Sequence, residues 1–170
     1  MYSGRMFELK PISREAIPEA LTKVRRYRLL NEPWQAESIC LDILRVDPGN
    51  EEALVMLLLS LTDQFGKGVS QSKAREILPR LKDQYEREYY SGIICERWAA
   101  SLVEHGSLGA GFTAYQCLRE AMEHYERAEA TRPPDNDDAL LRWNTCARIL
   151  MRNPELRPRG EEAFEPALDD

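Results

Sequence analysis

Between Trp34 and Leu61 apolar residues recur at steps of three and four, pause at a turn and resume, which predicts two helices joined as a hairpin. Ala36, Ile39, Cys40, Ile43 and Leu44 share one face of the first helix. Asp47-Pro48-Gly49-Asn50 then stops it and starts the next. Pro48 lacks an N–H and restricts the residue before it, Gly49 bends freely, and Asn50 is placed to accept a bond from the new helix's unpaired amides. Glu51 and Glu52 follow in the first turn, where negative charge suits the helix dipole. The second helix is apolar on more than one side. Ala53, Leu54, Leu57, Leu58 and Leu61 fill one face while Val55, Met56 and Leu59 fill much of the other, so it is expected to pack against neighbours on two sides.

The same period organises the rest of the chain. Residues Met1 to Ile12 have no clear period. Ser13 or the Ile17-Pro18 pair opens a first helix with Ile17, Ala20, Leu21, Val24 and Tyr27 inward and Leu30 near its end. The second helix runs from about Pro33 to Val46 and the third from about Asn50 to Phe65. A glycine-containing loop, Gly66 to Ser70, precedes a fourth helix with Ala74, Ile77, Leu78 and Leu81 inward. Pro79 lies beyond that helix's first turn, where proline kinks or splits a helix, and a bend is expected. The fifth helix, about Tyr85 to Glu104, carries Gly92 in its interior, which a close helix crossing would justify. After a second glycine-rich connection, His105 to Gly111, the sixth helix begins at Gly111 or Phe112 and runs to about Thr131. Pro133-Pro134-Asp135-Asn136 ends it and caps a seventh, with Ala139, Leu140, Trp143, Ala147 and Leu150 in register. From Asn153 the prolines and charges read as a loose acidic tail, residues 153–170.

Composition narrows the class. With 170 residues the chain reads as one helical domain over residues 13–152, and 43% apolar with 31% charged is ordinary for a globular protein. The longest apolar run, Ala53 to Leu59, is far short of the roughly 20 residues of a membrane span, so no membrane partner is expected. No charged segment followed by an apolar one opens the chain, and Cys40, Cys95, Cys117 and Cys146 stand singly. They read as buried apolar residues in a reducing compartment, and the expected location is cytoplasmic. The net charge of −6 sits largely in the tail, where Glu155, Glu161, Glu162, Glu165, Asp169 and Asp170 face only Arg157 and Arg159. An acidic total argues against nucleic acid as a partner.

An internal repetition then appears. Ala121, Tyr125, Ala128 and Pro133 follow a spacing that Ala36, Cys40, Ile43 and Pro48 reproduce with substitutions. Each copy continues with asparagine, two acids and Ala-Leu: Asn50 to Leu54 and Asn136 to Leu140. The pattern resembles the tetratricopeptide repeat (TPR), a family of helix pairs stacked into a superhelix, over roughly Ser13 to Met151. The resemblance implies an all-α, TPR-like α-solenoid of stacked antiparallel pairs: three irregular pairs and a seventh, capping helix. It also implies a groove lined by the first helix of each pair. By position that groove would use Leu21, Arg25 and Arg28; Val55, Leu59 and Asp63; Tyr89, Ile93 and Arg97; and Leu141 and Arg148. Leu21 and Arg25 stand where family members that clamp a C-terminal carboxylate use lysine and asparagine.

The candidate chemistry is sparse. Arg25 and Arg28 would share a helical face and either hold an acidic segment or form a solvated basic surface. His105 and His124 are the only histidines and are far apart in sequence, so no metal is expected. Glu120 and His124 form an i, i+4 pair that reads first as a surface pair, and core packing accounts for the Cys95/Trp98 and Trp143/Cys146 spacings. The 106–111 segment has no preceding strand and no Gly-Lys-Ser/Thr ending, so it is not a phosphate loop. The tail is a solubilising linker, or Phe164, Pro166 and Leu168 dock into a groove of the same chain or a neighbour. The leading expectation is a non-catalytic scaffold, without cofactor or catalytic residues, that binds a protein or peptide segment in or beside the groove. The alternatives are a small ligand-binding domain or enzyme with a pocket near Gly106 to Gly111, and a subunit that assembles with itself.

Overall fold

The computed structural model describes residues 7–158 and Gly160. Among these residues there are helices and turns but no strand: α1 (Ile17–Leu29), α2 (Pro33–Val46), α3 (Glu51–Thr62), α4 (Gln71–Arg75), α5 (Gln84–His105), α6 (Ala110–Ala130) and α7 (Asp138–Arg152). The described part of the expected 13–152 domain contains two compact units. One holds residues 7–64 with Ser72–Lys82, and the other Phe65–Gln71 with residues 83–158.

In the first unit α2 packs against both α1 and α3. The turn between α2 and α3 works as its residues dictate: Asn50 Oδ1 accepts the Ala53 N–H at 2.9 Å, and Asn50 Nδ2 donates to Asp47. α3 is buried on two sides, with Ala53, Leu54, Val55, Leu57, Leu58 and Leu61 all in the core. Two buried hydroxyls on it need no distant partner. Ser60 donates to the Met56 carbonyl and Thr62 to that of Leu59. Pro79 splits the expected fourth helix into the five-residue α4 and a separate 3-10 turn, Leu78–Arg80, because proline cannot supply the N–H a continuous helix requires. Arg80 then donates to the Pro48 carbonyl at 3.0 Å and ties that turn to the α2–α3 corner. Leu30, expected inward, is exposed instead: α1 ends at Leu29, and Asn31 takes a left-handed φ of 57° that turns the chain away.

In the second unit α6 packs between α5 and α7. Gly92 is where the α5–α6 crossing closes, since a Cβ there would lie 2.4 Å from Cε1 of Tyr125. Tyr125 is wholly buried and its hydroxyl donates to Glu96 at 2.6 Å. The start of α5 is capped by Asp83, whose Oδ1 accepts the Tyr85 N–H. Gly66 has a φ of +81°, and His105 covers it so closely that a side chain would also clash. The first residues of the tail expected to be loose from Asn153 are held against the unit. Asn153 Nδ2 donates to the Ile149 carbonyl at the end of α7, and Leu156 is buried beside the start of α6, where Gly111 approaches the Glu155 carbonyl.

The helix-face positions of the repeat are buried in both copies. Ala36, Cys40, Ile43 and Ala53 in the first unit and Ala121, Tyr125, Ala128 and Ala139 in the second are all inaccessible to solvent.

Candidate binding groove

Arg25, Arg28 and Asp63, three of the residues expected to line a groove, come together in the first unit. α1 is amphipathic: Ile17, Leu21 and Val24 point into the core, and the positions next to them around the helix carry the arginines outward. Arg28 makes a two-point contact with Asp63 at the end of α3, Nε to Oδ2 at 2.8 Å and Nη2 to Oδ1 at 3.3 Å. Arg25 pairs with Glu52 near the start of the same helix. Arg25, Arg28 and Asp63, together with Leu29, Asn31 and Met56, line an open cleft of about 450 Å³. Leu29 is 88% exposed at its rim, and Leu30 and Trp34, on the turn into α2, are 61% and 64% exposed. Three large apolar side chains within six residues of the sequence are thus left in water.

The two ion pairs differ in strength. Arg25 and Glu52 are both about half exposed, a setting in which a pair contributes roughly 0.2–1 kcal/mol. Arg28 and Asp63 are each only 20% exposed and held in the fork geometry. That pair fixes the cleft wall.

The remaining expected groove residues divide. Leu21, Val55 and Ile93 are core residues, 7%, 8% and 2% exposed, and are corrected from groove lining to packing; each sits on the side of its helix that the neighbouring helices cover. Leu59 is half-buried. In the second unit Tyr89 stacks on Tyr85 and tilts against Tyr125, with centroids 5.8 and 5.9 Å away. Arg97 borders a separate, mainly apolar cavity of about 260 Å³ formed with Val103, Leu118, Ile149 and Leu156. Leu141 and Arg148 lie on the exposed side of α7. Leu29, Asn31, Met56 and Trp34 escaped the sequence reading. The signal available was the Leu29-Leu30 pair running out of phase with the inward face of the first helix.

Two polar clusters are also present. Glu37, 3% exposed, accepts from Gln64 Nε2 at 2.7 Å and Lys73 Nζ at 3.0 Å, linking α2 to the end of α3 and to α4. On the α5–α6 face, His124 is more enclosed than a surface pair with Glu120 implies: its Nδ1 lies 2.8 Å from Glu88 Oε2, and Arg127 Nε donates to the same oxygen at 3.2 Å. Burial raises the Glu88 carboxyl, but the donors from His124 and Arg127 outweigh it and hold the group below its usual range.

Phe164, Pro166 and Leu168, with the acids around them, lie outside the described residues, as does the docking expected of them. The glycines of the 106–111 connection do not line the apolar cavity. Gly106 and Gly111 are instead pressed against backbone, the first on the Leu102 carbonyl and the second on that of Glu155.

The fold places the chain in the all-α class, and no helix of the described residues is long and apolar enough to cross a membrane. Comparison with protein-family models, curated proteins and solved structures returned no match.

Proposed function

We propose that the protein is a non-catalytic helical interaction module, TPR-like in its pairing of helices, that binds an acidic and apolar segment of another protein at the α1–α3 cleft. The observation that carries this reading is the cleft itself: an exchangeable Arg25–Glu52 pair beside exposed Leu29, Leu30 and Trp34. The arginines take the carboxylates of the segment and the apolar rim takes its hydrophobic side chains. The burial of equivalent repeat positions in both units supports the TPR-like pairing.

The test is fluorescence anisotropy with a panel of labelled peptides that combine Asp or Glu with Leu or Phe, against the wild type and an Arg25→Glu/Leu29→Ser variant of unchanged helicity. The reading expects a peptide whose affinity falls at least ~10-fold in the variant, about 1.4 kcal/mol. Equal binding by both proteins moves the site elsewhere, and no binding by either removes this class of ligand. Sedimentation velocity over a dilution series separates the rival use of the same patch. A mass that falls on dilution, and no longer does so in Trp34→Ser, makes it a self-assembly surface.

A further inference from the structure

We propose that Cys95, Glu120 and His124 bind a single divalent ion of the zinc type on the α5–α6 face, with Glu88 orienting the histidine. One donor atom from each of the three lies within 4.8 Å of the other two. Two helices supply them. Glu120 and His124 are four apart on α6 and so share a face, and Cys95 comes from α5, which runs antiparallel to it: Glu88 meets His124 and Arg127, while Cys95 meets Glu120.

The spacing suits the ion. Zinc bonds of about 2.0–2.3 Å in a tetrahedron set neighbouring donors roughly 3.5 Å apart. Nε2 of His124 is already 3.8 Å from Oε1 of Glu120. That pair is near the required spacing, and the donor atoms of all three residues lie within 4.8 Å of one another.

The far side of the imidazole is a second, independent observation. Nδ1 lies 2.8 Å from a Glu88 carboxylate oxygen, and in the tautomer that carries its proton there the Nε2 lone pair is on the side of Glu120. Metal-binding histidines donate their other ring N–H to a carboxylate, a backbone carbonyl or a water, which fixes the tautomer and strengthens the ligand. Arg127 bonds Glu88 through Nε and offsets its charge, while its Nη2, 2.9 Å from the same Nδ1, donates to that nitrogen only in the other tautomer. A thiolate, two carboxylates, one guanidinium and a divalent ion together are neutral.

A sulfur donor beside imidazole and carboxylate selects zinc or cobalt over magnesium or calcium. Three protein ligands leave a fourth position for water, and exposed Glu120 puts solvent at that side. On binding, the Cys95 S–H bond is replaced by a sulfur–metal bond and its proton goes to the buffer.

The experiment uses the full chain stripped of metal, titrated with zinc by calorimetry and with cobalt by absorption. The expected result is one ion per chain and a cobalt spectrum with a near-ultraviolet thiolate charge-transfer band and intense tetrahedral visible bands. Cys95→Ser should abolish the charge-transfer band, and Glu88→Gln should weaken zinc binding about 10–100-fold. Cys40→Ala and His105→Gln should change neither. Cys95 is buried, so Glu120→Gln, at an exposed position, supplies a ligand loss that spares the core, with circular dichroism confirming the fold of each variant. A cobalt spectrum without a thiolate band overturns the site, as does zinc affinity unchanged by Glu120→Gln.

Discussion

Tyr125 and Gly92 form a matched pair. The ring occupies the space a Cβ would need, and the hydroxyl satisfies the buried Glu96 carboxylate, which Arg142 also reaches at 3.3 Å. Gly92→Ala gains about 1 kcal/mol in helix propensity and loses more to overpacking, about 1–3 kcal/mol, so a lower urea midpoint is expected. Tyr125→Phe keeps the shape but removes a donor from Glu96, and a loss of about 1–3 kcal/mol should register in the same titration. Burial also acts on ionisation. It pushes the Cys40 thiol up to about 12, and burial with the nearby Glu96 does the same to Cys146. Burial raises the Tyr85 hydroxyl to about 12, and burial with Glu96 raises that of Tyr125 as well. Each group prefers to stay protonated in the folded chain. Their contribution is therefore complete below the unfolded thiol value near 9 and is lost as pH climbs toward 12. Urea midpoints measured from pH 8 to 11 should fall on the alkaline side.

At the scale of elements, the corners obey local chemistry. Asn50→Ala removes the acceptor for the Ala53 N–H and should cost about 1 kcal/mol, read from urea unfolding followed by circular dichroism. The helix ends were legible because proline, glycine and asparagine act on their own neighbours: the third helix was expected from Asn50, and α3 follows directly after it. Pro79 was legible as a break for the same reason. The end of α3 was less so. Phe65 continues the apolar period on paper, yet the helix stops at Thr62 and Phe65 packs edge-on against Trp98, 5.2 Å between centroids. Packing decided that boundary, and periodicity carries no information about which neighbour a side chain will meet.

For the whole molecule, the acidic total and the arginine cleft together predict how a partner is held. An acidic segment bound through half-exposed Arg25 should lose affinity as salt rises from about 0.05 to 0.5 M, while an apolar segment should not, and anisotropy at several ionic strengths separates them. The sequence by itself determined the helical class, the boundaries of every helix but the split fourth to within a few residues, and the repeated small and aromatic positions that are buried in both units, because these depend on period and on turn chemistry. It also named Arg25, Arg28 and Asp63. Only the tertiary structure decided that Leu21 and Val55, read both as packing and as groove lining, are interior, that Ile93 is interior too, and that Leu30 and Trp34 are outside, since exposure depends on which face a neighbouring helix covers. The structure alone brought Glu88 and Cys95 to His124, as helix pairing joins residues 29 and 36 apart that no linear motif connects.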